Sequence, residues 1–134
     1  MIYDLDDFMD WANNLVEELV TAKQRGIDVN GFIEYSAFFD NITSNEDAYN
    51  YLQENGINVI LDEQDTTDHL KLVIIDDIIM YIGSHNWSES ALYYNTETSV
   101  KIVNQNFATA LREYVSDITG LKKLEKRGFL QKNE

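Results

Sequence analysis

The 134-residue sequence contains no cysteine, which removes disulfides, thiolate catalysis and cysteine-based zinc sites from consideration and goes with a cytoplasmic location. It contains no proline either, which is uncommon at this length, and nothing functional follows from that. Bases are scarce: 10 Lys and Arg against 24 Asp and Glu leave a net charge of −14, which argues against a surface that broadly attracts nucleic acid or anionic lipid. Long apolar runs are missing, since stretches such as Leu72-Val73-Ile74-Ile75 fall far short of the ~20 residues a bilayer span needs. The first ten residues carry four Asp and no Lys or Arg, unlike a signal peptide. What is present is 44% apolar and 12% aromatic residues against 25% charged, a globular composition of a length that suits one compact domain over 1–134.

The charge is uneven. Residues 1–111 hold 20 acids and only four bases, Lys23, Arg25, Lys71 and Lys101, while residues 112–134 hold six bases and four acids. The segment 118–134 therefore forms a basic end to an acidic chain.

Hydrophobic periodicity predicts a helix carrying Phe8, Trp11, Ala12, Leu15, Leu19 and Ala22 on one face, with Gly26 just beyond its end. Val29 to Tyr35 reads as a strand, although Asn30-Gly31 weakens it. Asn45 to Asn55 reads as a helix with Ala48, Tyr51 and Leu52 inward, closed by Gly56, and Ile57 to Leu61 as a short strand. Two nearly continuous apolar runs, Leu70 to Ile75 and Ile78 to Ile82, flank Asp76-Asp77 and predict a tight hairpin with both strands largely buried. A strand over Ser99 to Val103 and an amphipathic helix bearing Phe107, Ala110, Leu111, Tyr114, Val115 and Ile118 complete the pattern. This alternation predicts an α/β fold, a mixed β-sheet flanked by helices.

The chemistry-bearing segment is His69-Leu-Lys71 at the start of the hairpin, Gly83-Ser84-His85-Asn86 at its end, and Asn95-Thr-Glu97 beyond. In an extended chain residues two apart share a face, so His69 projects with Lys71, and Ser84 with Asn86. An imidazole beside an ammonium suits an anionic substrate, and the hydroxyl and amide add neutral donors.

The full pattern, His69-x-Lys71-x4-Asp76-x6-Gly83-Ser84-x-Asn86, resembles the complete HKD signature of the phospholipase D superfamily. The flanking residues, from Ala22-Lys-Gln-Arg25-Gly26 through Tyr51-Leu52-x3-Gly56-Ile57 to Trp87-Ser-Glu-Ser-Ala91 and Asn95-x-Glu97, are similar to its single-motif nuclease branch over roughly residues 1–118. The resemblance implies a phospholipase D/nuclease-like fold that is N-terminally short, since the match begins a helix and a strand late at Met1-Ile2-Tyr3. It implies that His69 attacks phosphorus to give a phosphohistidine, that Lys71 and Asn86 hold the non-bridging oxygens, and that Ser84 adds a hydrogen bond. Glu97 is the expected acceptor for the second imidazole nitrogen of His69, and Asp76 a motif-stabilising residue within the hairpin. No cofactor or metal is implied. One motif is half a site in this superfamily, so the resemblance implies a homodimer with His69 of both copies in one active site.

Other features have plainer readings. His85, between Ser84 and Asn86, is expected to point away from their shared face. Asp76-Asp77 suits a two-residue turn without an ion. Trp87, Tyr93 and Tyr94, like Phe38 and Phe39, read first as core aromatics, with base stacking or lipid contact as the alternatives. Lys122, Lys123, Lys126 and Arg127 read as a solvated helix face, with nucleic-acid tracking as the alternative. The expected function is a metal-independent, endonuclease-like phosphodiesterase acting on DNA or RNA. A phospholipid head-group hydrolase and a non-catalytic dimeric binding module are the alternatives, and no stable membrane association is expected.

Overall fold

Two helices of this chain end in the same motif, and that motif launches each of the first two strands. In the computed structural model, which describes residues 13–34, 42–62 and 68–119, helix α1 spans Asn13–Gln24 and helix α2 spans Ile42–Glu54. After α1, Gly26 donates to the Lys23 carbonyl and Ile27 to that of Ala22; after α2, Gly56 donates to Gln53 and Ile57 to Leu52. Both glycines adopt positive φ, 87° and 75°, which is what lets the chain turn back and cap the last carbonyls. Ile57 is thereby folded into the core.

Strand β1 (Asn30–Ile33) and strand β2 (Asn58–Leu61) then pair in parallel, Asn30 opposite Asn58 and Ile33 opposite Leu61, with α2 as the crossover. The Asn30-Gly31 pair that weakens β1 on paper is accommodated: Asn58 Nδ2 donates to Asn30 Oδ1 at 2.8 Å, and Gly31 lies against Val59. The core of this unit is Val16, Val20, Ile33, Ala48, Leu52, Ile57 and Val59, and Trp87 packs on it from further along the chain. Each fully buried Val, Leu or Ile contributes roughly 1.5–3 kcal/mol. On α1 the deepest residues are the valines, while Leu15, Leu19 and Ala22 are half-buried. Phe8, Trp11, Ala12, Phe38, Phe39 and the basic residues 122–127 lie outside the described residues.

The second half is an antiparallel sheet of β3 (Leu72–Ile75), β4 (Ile79–Gly83) and β5 (Ser99–Val103), in the order β3-β4-β5, followed by helix α3 (Gln105–Thr119). Parallel and antiparallel pairing are both present, as the α/β pattern predicts. Among the described residues they form two sheets, with an apolar cavity of ≈ 380 Å³ between β1 and β3 lined by Phe32, Ile33, Leu72, Ile74 and Trp87.

Two expectations about burial are corrected. The hairpin strands are not largely buried: Met80 is fully enclosed, but β3 is half-exposed and Ile75, Ile78 and Tyr81 face solvent. On α3 the buried stripe is Ala108, Val115, Ser116 and Thr119, whereas Phe107, Ala110 and Tyr114 are exposed. Small residues win the inner face because they let the helix approach β4 closely, and the large aromatics are turned outward. One element is absent from the sequence reading altogether, a π-helical turn over Ser90–Tyr94. It displays Tyr93 and Tyr94 at 57% and 74% exposure, so these two are surface residues and not core.

Candidate active site

The hairpin gathers the chemistry at one end. Gly83 N–H donates to the Lys71 carbonyl at 3.3 Å, extending the β3-β4 ladder one residue beyond Leu72 and placing His69 and Lys71 beside the exit of β4. On the other side Gly83 pairs with Ser99, so residues 84–86 run next to the chain that carries Glu97 into β5. Only glycine fits at 83, because a Cβ there would overlap Ser99 Oγ and the Thr98 carbonyl oxygen and lie 2.6 Å from Ser99 Cα. The glycine of the motif is thus what allows the three segments to close up.

Ser84 is fixed at several points. Its N–H donates to the Thr98 carbonyl at 3.0 Å, its Oγ accepts the Thr98 N–H at 3.1 Å, and its hydroxyl donates to Glu97 Oε2. Asn95 Nδ2 donates to Glu97 Oε1 at 3.2 Å. These bonds, with the charges of His85 and Lys71 nearby, hold the Glu97 carboxyl below the ordinary value of 4.5, so it stays ionised. A hydroxyl has one proton, and while Ser84 gives it to Glu97 it has none to give a substrate. His85 Nδ1 lies 2.8 Å from Ser99 Oγ, on β5.

His69 is exposed and Lys71 half-buried, with Lys71 Nζ donating to the His69 carbonyl at 3.4 Å. Desolvation first, and the Lys71 ammonium second, lower the imidazole below its usual 6.5, which favours the neutral form. Asn86 is half-buried, and its Oδ1 is enclosed without a hydrogen-bond partner among the described residues. A 180° rotation exchanges the two ends of the amide, so the same position can offer an N–H to an anionic oxygen.

Asp76 does not join this group. It sits at the opposite end of the hairpin, seven residues or roughly 20 Å along the strand from His69, in a turn where Asp76 and Asp77 have φ of 53° and 54°. Ile78 N–H closes that turn onto the Ile75 carbonyl at 3.1 Å, and Ile78 is an extra residue, since Ile75 pairs with Ile79. Asp77 has a partner: Arg112 Nε donates to its Oδ1 at 2.7 Å, tying the turn to α3. Half-exposed, such a pair contributes about 0.2–1 kcal/mol.

Sequence reasoning missed a carboxyl cluster, Glu34, Asp62 and Asp68, whose oxygens lie within 4.8 Å of one another. Among the described residues these are the acids near enough to one another to hold a cation. The clue was available, because each of the first two strands runs straight into an acid and parallel pairing brings those two ends together.

A parallel βαβ unit joined to an antiparallel hairpin, with an imidazole, an ammonium, an amide and an ionised carboxylate carried on the segments that meet at the hairpin end, is the arrangement of the phospholipase D class. The family described as "Cardiolipin synthase, PLD-like domain" matches residues 8–119, and the chain belongs to it. Members of this superfamily are phosphodiester-acting enzymes. The chain is 24% identical over 116 residues to cardiolipin synthase A of Wigglesworthia glossinidia brevipalpis, a match that covers 84% of this chain but spans only 23% of that relative's length. Among solved structures it is similar to Nuc, a phospholipase D family member from Salmonella typhimurium, with a TM-score of 0.74 and 28% identity over 87% of this chain and 73% of that one. NucT from Helicobacter pylori shares the fold, with a TM-score of 0.67 at 22% identity over 87% of this chain and 74% of that one.

Proposed function

We propose that this chain, acting as one domain over 1–134, is a metal-independent phosphodiesterase that cleaves nucleic acid through a phosphohistidine on His69. The observation that carries the reading is the hairpin end, where the Lys71–Gly83 bond brings together the segment that carries Lys71 and an imidazole held toward its neutral form and the segment that carries the enclosed amide of Asn86. In the first step an imidazole nitrogen of His69 attacks phosphorus, a P–N bond forms, and the P–O bond to the leaving group breaks. Lys71 and Asn86 meet the charge that builds on the non-bridging oxygens. The leaving oxygen takes its proton from His69 of a second copy, which as a base then activates the water that breaks the P–N bond and restores the first imidazole. Each copy supplies one histidine, so the active unit is a homodimer.

Glu97 serves as the acceptor that orients the imidazole of His69. An ionised carboxylate has lone pairs beyond those that Ser84 and Asn95 use, and Ser84 fixes its position. Asp76 supports the hairpin from its far turn. Similarity to Nuc over 73% of that chain supports the single-motif, nuclease-like branch. The likeness to cardiolipin synthase A supports a second reading, a phospholipid head-group substrate. Among the described residues no helix is long and apolar enough to cross a membrane, and a cytoplasmic setting suits the nucleic-acid reading. Incubation in EDTA with single-stranded DNA, duplex DNA, RNA and phospholipid vesicles tests it: nucleic-acid cleavage that His69→Ala abolishes is expected, and cleavage of lipid alone would select the second reading.

A further inference from the structure

Behind the site, a buried side chain holds the backbone that carries His69. The geometry points to Glu34 as the positioning residue for the His69 nucleophile, acting through a carboxyl cluster with Asp62 and Asp68 in which Glu34 grips the backbone of Asp68. This rests on the reading of His69 given above. Ile33 and Leu61 are paired in register, so the next residues, Glu34 and Asp62, emerge side by side at 3% and 4% exposure. Asp62 N–H donates to the Ile33 carbonyl at 2.8 Å, and Asn45 Nδ2 from α2 donates to the Glu34 carbonyl at 2.9 Å, so the backbone of the cluster is fixed from two sides.

From this platform Glu34 Oε2 accepts the backbone N–H of Asp68 at 3.0 Å. His69 follows directly and Lys71 is the first residue with a ladder bond to β4, so His69 sits between two anchors, Glu34–Asp68 on one side and Lys71–Gly83 on the other. Among the described residues the charged groups facing Glu34 are Asp62, beyond β2, and Asp68, ahead of β3; α2 presents the neutral Asn45. Burial, then the charges of Asp62 and Asp68 and the hydrogen bond with Asp62, raise the Glu34 carboxyl above 4.5, against the opposing bond from Asp68 N–H; burial also raises Asp68 above 3.8. A hydrogen bond between two carboxyls needs a proton, and three of them this close cannot all ionise without repulsion. The Asp68 N–H bond itself favours the ionised Glu34, so the grip on Asp68 does not depend on the proton, whereas repulsion among the three carboxyls makes that proton costly to lose.

The test compares Glu34→Ala, which removes the acceptor, with Glu34→Gln, which keeps an acceptor oxygen and cannot ionise, using bis(p-nitrophenyl) phosphate in EDTA. Glu34→Ala is expected to lower kcat ~10- to 100-fold with KM nearly unchanged, the size of effect a misplaced reacting group produces. Glu34→Gln, which still offers an oxygen to the Asp68 N–H, is expected to recover most of that loss. A folded Glu34→Ala enzyme with wild-type kcat, or a Glu34→Gln enzyme as slow as Glu34→Ala, would overturn the inference. If Glu34→Ala does not fold, Glu34→Leu, which fills the space without an acceptor, takes its place in the same comparison. A melting temperature that Mg2+ or Ca2+ raises in the wild type but not in Glu34→Gln would also overturn it, by making the cluster a cation site. Absence of any His69-dependent hydrolysis would defeat the functional reading instead. In that event hydrogen-exchange protection of the Asp68 amide decides the positioning claim: loss of protection in Glu34→Ala with retention in Glu34→Gln supports it, and equal protection in all three proteins overturns it.

Discussion

A histidine that attacks phosphorus must be unprotonated at the attacking nitrogen, and the surroundings of His69 favour that state through partial desolvation and the ammonium of Lys71. The acid limb of kcat/KM is therefore expected below pH 6.5, measured with a diester whose leaving group does not titrate. In Lys71→Met the second of the two causes is gone, so the limb is expected to move upward, and the phosphate-holding role proposed for Lys71 predicts a fall in kcat as well. A limb that stays in place would show that Lys71 does not face the imidazole. Ser84→Ala removes the largest influence on Glu97, and NMR titration is expected to find that carboxyl moved back toward 4.5. At this scale the sequence was informative because spacing along two adjacent strands fixes which residues meet: His69, Lys71, Ser84 and Asn86 lie at one hairpin end. It was silent on the bond from Ser84 to Glu97, because the geometry of residues 87–96 has no simple period. The acceptor of Asp68 N–H, Glu34, comes from 34 residues upstream, beyond any local pattern.

Among the elements, Gly83 on β4 and Ala108 on α3 have no room for a larger side chain. Gly83→Ala sets a methyl group against the backbone of Thr98 and Ser99, which cannot give way like a flexible side chain. Overpacking of this kind costs typically ~1–3 kcal/mol, and a urea unfolding midpoint is expected to fall accordingly, with activity lost through the displaced Ser84 and Asn86. Ala108 is fully enclosed beneath β4, so Ala108→Leu is expected to destabilise by a similar ~1–3 kcal/mol, whereas the exposed Ala110 takes the same change within about 0.5 kcal/mol. Equal effects at the two positions would contradict the observed face of α3. Strand and helix identities were readable from periodicity, and β5 over Ser99–Val103 has the bounds the pattern predicts. The buried face of α3 was not readable, because a hydrophobicity pattern follows large side chains and this interface selects small ones. The π-helical turn was missed for a related reason: Leu92, Tyr93 and Tyr94 resemble a core cluster until the wider turn shows which of them point outward.

For the whole molecule, a net charge of −14 surrounds a site that contains one of the few bases outside the C-terminal segment, Lys71. Substrate binding is expected to be weak and to weaken further with salt, as for a confined positive site within an acidic shell. Carboxyl groups also set opposing trends in stability. Glu97, depressed in the fold, contributes stability above its unfolded value of 4.5 that is lost as pH falls through its lower folded value. Glu34 and Asp68, raised in the fold, bind protons more tightly than the unfolded chain does, so stability declines as pH rises from 3.8–4.5 through their raised values. Urea midpoints of Glu34→Gln are accordingly expected to gain on the wild type as pH rises through that window, and a constant difference would contradict the assignment. Sedimentation is expected to give a particle of twice 15.5 kDa, because the proposed mechanism draws one His69 from each of two copies. The central claim is most directly tested by hydrolysis of bis(p-nitrophenyl) phosphate in EDTA by the wild type and His69→Ala. The account predicts turnover by the wild type that is reduced at least ~1,000-fold in the variant; turnover that survives in His69→Ala, or that requires a divalent cation, would contradict it.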